Sequence, residues 1–205
     1  MSKKVLVIGG SGTIGSAVVK EIAPTHEALI ITRSTKPAID LANTDSIRST
    51  LEALFKEHGH LEGIISCAGG GMVSPIAEMD LEEFLPKLSA KLLGQVALVQ
   101  YGARCIRPGG AIVLTTGVLA ERPMLSMGHL AVINAGVSAF ARTAALEYPD
   151  LRTCVVSPGL VEESPPNVLA LFEGMSRVSS SEIGRAYSHA LEHGVSGETY
   201  AHFGV

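Results

Sequence analysis

Gly9-Gly10-Ser11-Gly12-Thr13-Ile14-Gly15 follows directly on the apolar run Lys4–Ile8 and leads into a helix-period stretch, Thr13–Ile22. A strand, a glycine turn and a helix in that order allow the backbone to turn tightly and bring free N–H groups and a positive helix end to one point. Working outward, short Val/Ile/Leu runs recur at Ala28–Thr32, Gly63–Cys67, Ala111–Thr115 and Thr153–Ser157, with a last short one at Thr199–Phe203. Between them lie helix-period segments, Thr44–His58, Leu81–Cys105, Leu130–Glu147 and Ser181–His193. Buried strands alternating with crossover helices predict an α/β chain with a doubly wound parallel sheet, organised as a single domain over residues 1–205. The helices opening near Thr44 and Ser181 carry Thr/Asp and Ser/Glu capping chemistry. Ser164-Pro165-Pro166 is expected in a loop near the C-terminal ends of the strands.

The composition excludes several classes. Lys and Arg number 16 against 20 Asp and Glu, a net charge of −4 that disfavours nucleic acid as a partner. Apolar residues make up 46% of the 205 and charged ones 18%, enough for a large core and too apolar for disorder. No apolar run approaches membrane-spanning length, and Met1-Ser2-Lys3-Lys4 leads into a short apolar stretch rather than a signal-peptide core. A soluble, cytoplasmic protein with no membrane partner is expected. Cys67, Cys105 and Cys154 are too scattered for a disulfide framework or a four-ligand zinc site and read as reduced and buried.

The glycine loop has the residues to approach a pyrophosphate, and the residue after the second strand decides which dinucleotide. An acidic residue there would take ribose hydroxyls. Thr32-Arg33-Ser34 instead supplies a guanidinium and two hydroxyls, suited to a 2′-phosphate, so NADP is favoured over NAD.

These features resemble the short-chain dehydrogenase/reductase family, a Rossmann-like fold, over essentially the whole chain. The landmarks are the loop Gly9–Gly15, the pair Asp40-Leu41, Ser66-Cys67-Ala68-Gly69 in place of an Asn-Asn-Ala-Gly turn, and Ser157-Pro158-Gly159. Ala135-Gly136-Val137 through Ala145-Leu146-Glu147 is similar to the family's long active-site helix. The resemblance implies cofactor contacts at Gly9, Ser11, Gly12, Thr13, Ile14, Gly15, Arg33, Ser34, Asp40, Leu41, Ala68, Gly69, Pro158 and Gly159, with Thr13 replacing the loop's middle glycine. It also implies a homodimer or homotetramer paired through Leu81–Cys105 and Leu130–Glu147. Only six residues separate Arg33 from Asp40, where the family spends a helix; the helix between the second and third strands is therefore expected to be deleted and the third strand to be a stub.

In the family a tyrosine protonates the carbonyl, a lysine four residues on supports it, a serine orients the substrate and an asparagine extends the relay. Here the tyrosine position holds Leu130, the lysine position Asn134, the serine position Gly117 and the asparagine position Lys91. The last lysine in the chain is Lys91, and the residues four beyond Tyr101, Tyr148, Tyr187 and Tyr200 are Cys105, Arg152, Leu191 and Gly204. Lys91 and Asn134 thus exchange residue types, so an ammonium and an amide can still meet beneath a nicotinamide ribose. Substitute donors are sought among Thr115, Thr116, Ser126 and His129, and the candidate catalytic residues are Lys91, Thr116, His129 and Asn134. No metal site is expected: His189 and His193 lack the glutamate of zinc hydrolases, and His58-Gly59-His60 reads as a helix end. Ser157 lacks the setting of a nucleophile elbow. Two functions stand against each other. One is an NADP-dependent oxidoreductase acting on a small carbonyl or alcohol with a rearranged donor; the other is a non-catalytic NADP(H)-binding sensor or scaffold. A purely structural oligomer is the third and least favoured.

Overall fold

Alternation along the first strand sets out the layers of the molecule. In the computed structural model, which describes residues 3–204, β1 (Lys4–Ile8) turns Val5 and Val7 to one face of a sheet and Leu6 and Ile8 to the other, all four buried. Met1, Ser2 and Val205 lie outside the described residues, and with them part of the amino-terminal reading above.

The chain continues through α1 (Thr13–Ile22), β2 (Glu27–Ile31), α2 (Thr44–His58) and β3 (Leu61–Ser66). α3 (Leu81–Leu88) and α4 (Gly94–Gly102) lead to β4 (Ile106–Thr115), and α5 (Gly128–Glu147) to β5 (Arg152–Pro158). The short pieces β6 (Leu160–Val161), α6 (Pro166–Ala170) and β7 (Arg177–Val178) precede α7 (Ser180–His193) and β8 (Thr199–His202). The main sheet has the order β2-β1-β3-β4-β5-β8, every neighbouring pair parallel. β1 therefore lies between β2 and β3, the point where the winding reverses and a crevice opens at the C-terminal strand ends. One core packs Val18, Ile22, Ile183 and Tyr187 of α1 and α7 against one face; the other packs Ile47, Leu51, Leu98 and Val137 of α2, α4 and α5 against the opposite face. No helix among the described residues is long and apolar enough to cross a membrane.

The expected deletion is overturned. A full helix of 15 residues, α2, connects the second and third strands of the sheet, and the third strand is Leu61–Ser66, with no stub near Asp40. Asp40 does not belong to a strand. Its N–H donates to Ser46 Oγ at 3.0 Å, and its carboxylate accepts the Ala42 N–H at 3.0 Å, both as part of the turn into α2. The short interval from Arg33 is thus a loop, held by Ile39 and Leu41 buried beneath it.

Local chemistry explains smaller departures. α2 is capped by Asn43, whose Oδ1 accepts the Asp45 and Ser46 N–H groups, rather than by the Thr44-Asp45 pair. α7 opens with a full capping box between Ser179 and Glu182. The segment read as one helix from Leu81 to Cys105 is interrupted. Pro86 cannot donate within α3, and residues 89–93 widen into a π turn before α4 resumes. Gly94 lets that turn approach the Leu41 backbone, since a Cβ there would lie 2.5 Å from the Leu41 carbonyl oxygen. Ser164 and Pro165 lie in the expected loop, and Pro166 opens α6, using proline's fitness for a first helical turn.

Candidate active site

The loop after β1 is shaped to hold an anion. Gly9 adopts φ 78°, and a Cβ there would lie 3.0 Å from the Ala68 backbone nitrogen. Gly12 donates to the Gly9 carbonyl at 3.0 Å, and a Cβ on Gly15 would fall 2.1 Å from that same oxygen. These glycines let α1 start hard against the strand end. No side chain caps α1 at Gly12, so its first N–H groups point outward at its positive end. Thr13, in place of the family's middle glycine, is exposed and obstructs nothing.

A cleft of about 510 Å³ extends from this loop, bounded by Ser11, Arg33, Asp40, Leu41, Ala68 and Gly69. Of the residues expected at a cofactor, Gly9, Ser11, Gly12, Arg33, Asp40, Leu41, Ala68 and Gly69 line this cleft. Ser34 is not part of it: its hydroxyl and N–H bond to Thr32 Oγ1, both at 3.1 Å. Lys87 and Ala90 also line the cleft and were missed, because their contribution depends on how the end of α3 and the π turn after it settle beside Gly69. Cys67 lines it too, its thiol held protonated because burial raises its pKa.

Beyond Ile14 lies a second pocket of about 210 Å³, lined by Lys91, Gly117, Leu130 and Asn134, the four residues that the resemblance sets at its catalytic positions. Pro158, Gly159 and Thr116 complete its inner end; Val118, Leu119, Val168, Phe172 and Met175 give it apolar walls. Lys91 is 8% exposed, and its ammonium makes one long hydrogen bond, 3.4 Å to the Thr116 carbonyl. No carboxylate among the described residues pairs with it, and burial lowers its pKa to about 8. Asn134 donates through Nδ2 to the Gly117 carbonyl at 3.3 Å, leaving its buried Oδ1 without a partner.

Gln95, which belongs to no motif along the chain, fixes this geometry. Its amide nitrogen donates to the Lys91 and Thr115 carbonyls at 2.9 Å each, and its oxygen accepts the Thr115 N–H at 2.7 Å. Helix α4 is thereby clamped to the end of β4. Thr115 is spent in structure: its hydroxyl donates to the Ser66 carbonyl and receives the Tyr187 hydroxyl at 2.5 Å. Thr116 reaches the pocket, although its hydroxyl leans to the Val156 carbonyl at 3.5 Å. His129 and Ser126 do not line it. The His129 ring is fully buried edge-on against Phe84, centroids 5.3 Å apart, with neither nitrogen partnered. Ser126 holds a left-handed φ of 62° in the loop before α5, a strained conformation for a residue with a side chain.

A family model described as enoyl-(acyl carrier protein) reductase matches residues 13–185. The crystal structure of the protein lin1944 from Listeria innocua superposes with a TM-score of 0.91 at 33% identity, covering 98% of this chain and 99% of that one. A small-chain dehydrogenase solved in complex with NADPH shares the fold at TM-score 0.87 and 21% identity, covering 98% and 97% of the two chains. Among curated proteins, (5R,7aS)-5-hydroxy-7a-methyl-1-oxo-2,3,5,6,7,7a-hexahydro-1H-indene-carboxyl-CoA reductase of Mycobacterium tuberculosis is 28% identical over 172 residues. That match takes in 81% of this chain and 66% of the reductase, so the chain spans just under two thirds of that relative's length.

Proposed function

Because this chain belongs to the short-chain dehydrogenase/reductase family, we propose that it binds NADP(H) across the loop at Gly9–Gly15 and interconverts a small apolar carbonyl compound and its alcohol. Bound there, the dinucleotide supplies or accepts the hydride. The uncapped start of α1 meets the pyrophosphate, and Arg33 meets the 2′-phosphate with its guanidinium. The NADPH complex of a structural relative supports the same cofactor for this chain.

The observation that carries the chemistry is Lys91, a buried ammonium without a carboxylate in the pocket next to the cleft. A donor is effective when its pKa lies near the working pH, and burial has moved this one to about 8. Lys91 hands a proton to the carbonyl oxygen during reduction and takes it back during oxidation. The free Oδ1 of Asn134 accepts a hydroxyl hydrogen bond, and the apolar walls exclude water and select an uncharged substrate. The proton needed for reduction is present below about pH 8, so reduction falls as pH rises through that value.

A second reading, a non-catalytic NADP(H)-binding sensor or scaffold, is favoured by Leu130. Its side chain packs so closely on Gly71 that a Cβ there would lie 2.1 Å from Leu130 Cδ2, filling with hydrocarbon the position of the family's acid. One experiment separates the readings: NADPH oxidation against a panel of aldehydes and ketones from pH 6.5 to 9, with Lys91→Met alongside. Turnover that declines above pH 8 and falls about 10²–10⁴-fold in the variant supports the enzyme. Tight NADPH binding with no turnover at any pH supports the sensor. Loss of NADPH preference over NADH in Arg33→Ala, by about ten- to a hundredfold, tests the cofactor assignment.

A further inference from the structure

The cleft beside the glycine loop carries a second cation besides Arg33. Arg33 stands on the loop after β2, and Lys87, near the end of α3, lines the same 510 Å³ cleft. Among the described residues neither makes a hydrogen bond or an ion pair. For Lys87 this is informative, because Glu83 stands one turn earlier in the order that favours a Glu-to-Lys helix pair, yet the ammonium does not meet it. The one carboxylate on the cleft, Asp40, is engaged by the Ala42 N–H. Ser34, the other hydroxyl expected to assist Arg33, is turned into its own loop.

A phosphate monoester carries about −1.5 to −2 charges at neutral pH, more than one guanidinium neutralises. Lys87 and Lys91 lie one turn apart along this helical segment and serve different compartments. Lys91 runs across Gly69, where a Cβ would sit 3.0 Å from its Cγ, and reaches the inner pocket; Lys87 stays with Arg33 and Asp40 at the outer, adenosine half. The pyrophosphate already has the loop and the start of α1.

We infer that Lys87 is a second specificity-determining residue, meeting the cofactor's 2′-phosphate from α3 alongside Arg33 in the cleft they share. The inference rests on the NADP(H) reading above. Lys87 is exposed and holds no hydrogen bond or ion pair, so its replacement is expected to leave the fold intact.

Calorimetric titration of the full chain with NADPH, NADH and 2′,5′-ADP, in wild type, Lys87→Met, Lys87→Glu and Arg33→Ala, tests it. Lys87→Met is expected to weaken NADPH and 2′,5′-ADP by about tenfold, Lys87→Glu by more, with NADH changed less than about twofold. The salt dependence of NADPH binding should become shallower in Lys87→Met. An equal loss for NADPH and NADH would assign Lys87 to the pyrophosphate and overturn the inference. So would unchanged NADPH binding in both Lys87 variants while Arg33→Ala loses it; that result leaves the cofactor reading standing. A wild type indifferent to the 2′-phosphate, with Arg33→Ala silent as well, overturns both together.

Discussion

Lys91 shows how one buried cation can cost stability. A protonated lysine in the folded core is penalised wherever both states hold the proton, which here means below about pH 8. Between about 8 and the ordinary 10.5 the unfolded chain keeps a proton that the folded one has released, so stability rises with pH through that window. Above it the penalty is gone. Lys91→Met should therefore stabilise the cofactor-free protein at pH 7 by an amount on the order of 3 kcal/mol at most, with the advantage shrinking towards pH 10.5. Urea unfolding of both proteins at pH 7 and pH 9.5 measures this; no gain at pH 7 would contradict it. His129 behaves differently. It lies outside the pocket with two unpartnered ring nitrogens, so His129→Phe should retain NADPH binding and any turnover, and be neutral or stabilising by about 1 kcal/mol. A turnover loss comparable to that of Lys91→Met would return His129 to the relay.

At the scale of elements, the strand-turn-helix from β1 to α1 depends on close backbone contact rather than on side-chain bonds. Gly15 is its tightest point, because the atom a Cβ would strike is the Gly9 carbonyl oxygen, which cannot rotate away. Gly15→Ala should lower stability by about 1–3 kcal/mol and abolish measurable NADPH binding, seen by thermal unfolding and calorimetry. Retained binding with a normal melting temperature would mean that the loop tolerates separation from α1. The bounds of α1 and α2 were legible residue for residue, since strong periodicity and end signals act within a few positions of the chain. The break in Leu81–Cys105 was less so. Pro86 stands in plain view, but the widening falls at 89–93, where packing against Leu41 and the Gln95 clamp, not local propensity, sets the turn.

The whole molecule presents apolar surface that its own layers do not cover. Val132 is 55% and Leu146 84% exposed on α5, and Leu93 is 47% exposed at the end of the π turn, while the opposite side of α5 is buried against the sheet. Burial in a second copy is the expected remedy, so multi-angle light scattering should give a dimer or tetramer, and Val132→Glu should lower the mass. A monomeric wild type at micromolar concentration would rule this out.

What could be read from the chain alone was whatever short-range physics controls. The alternation in β1, the glycines at 9 and 15, and the crossover rhythm were enough to imply a parallel sheet with a tight glycine turn after its first strand, because each depends on residues adjacent in sequence. That no tyrosine here is followed four residues on by a lysine needed only counting. The deleted helix was misjudged for the same reason in reverse. The interval from Arg33 to Asp40 was taken as the gap between two strands, when Asp40's hydrogen bonds commit it to the turn before α2. Distances across the fold decided the rest: Lys91 and Asn134 line one pocket, His129 packs against Phe84, and Lys87 lines one cleft with Arg33. Those placements follow from how helices settle on the sheet, a matter of long-range packing on which no single stretch of the chain carries the information.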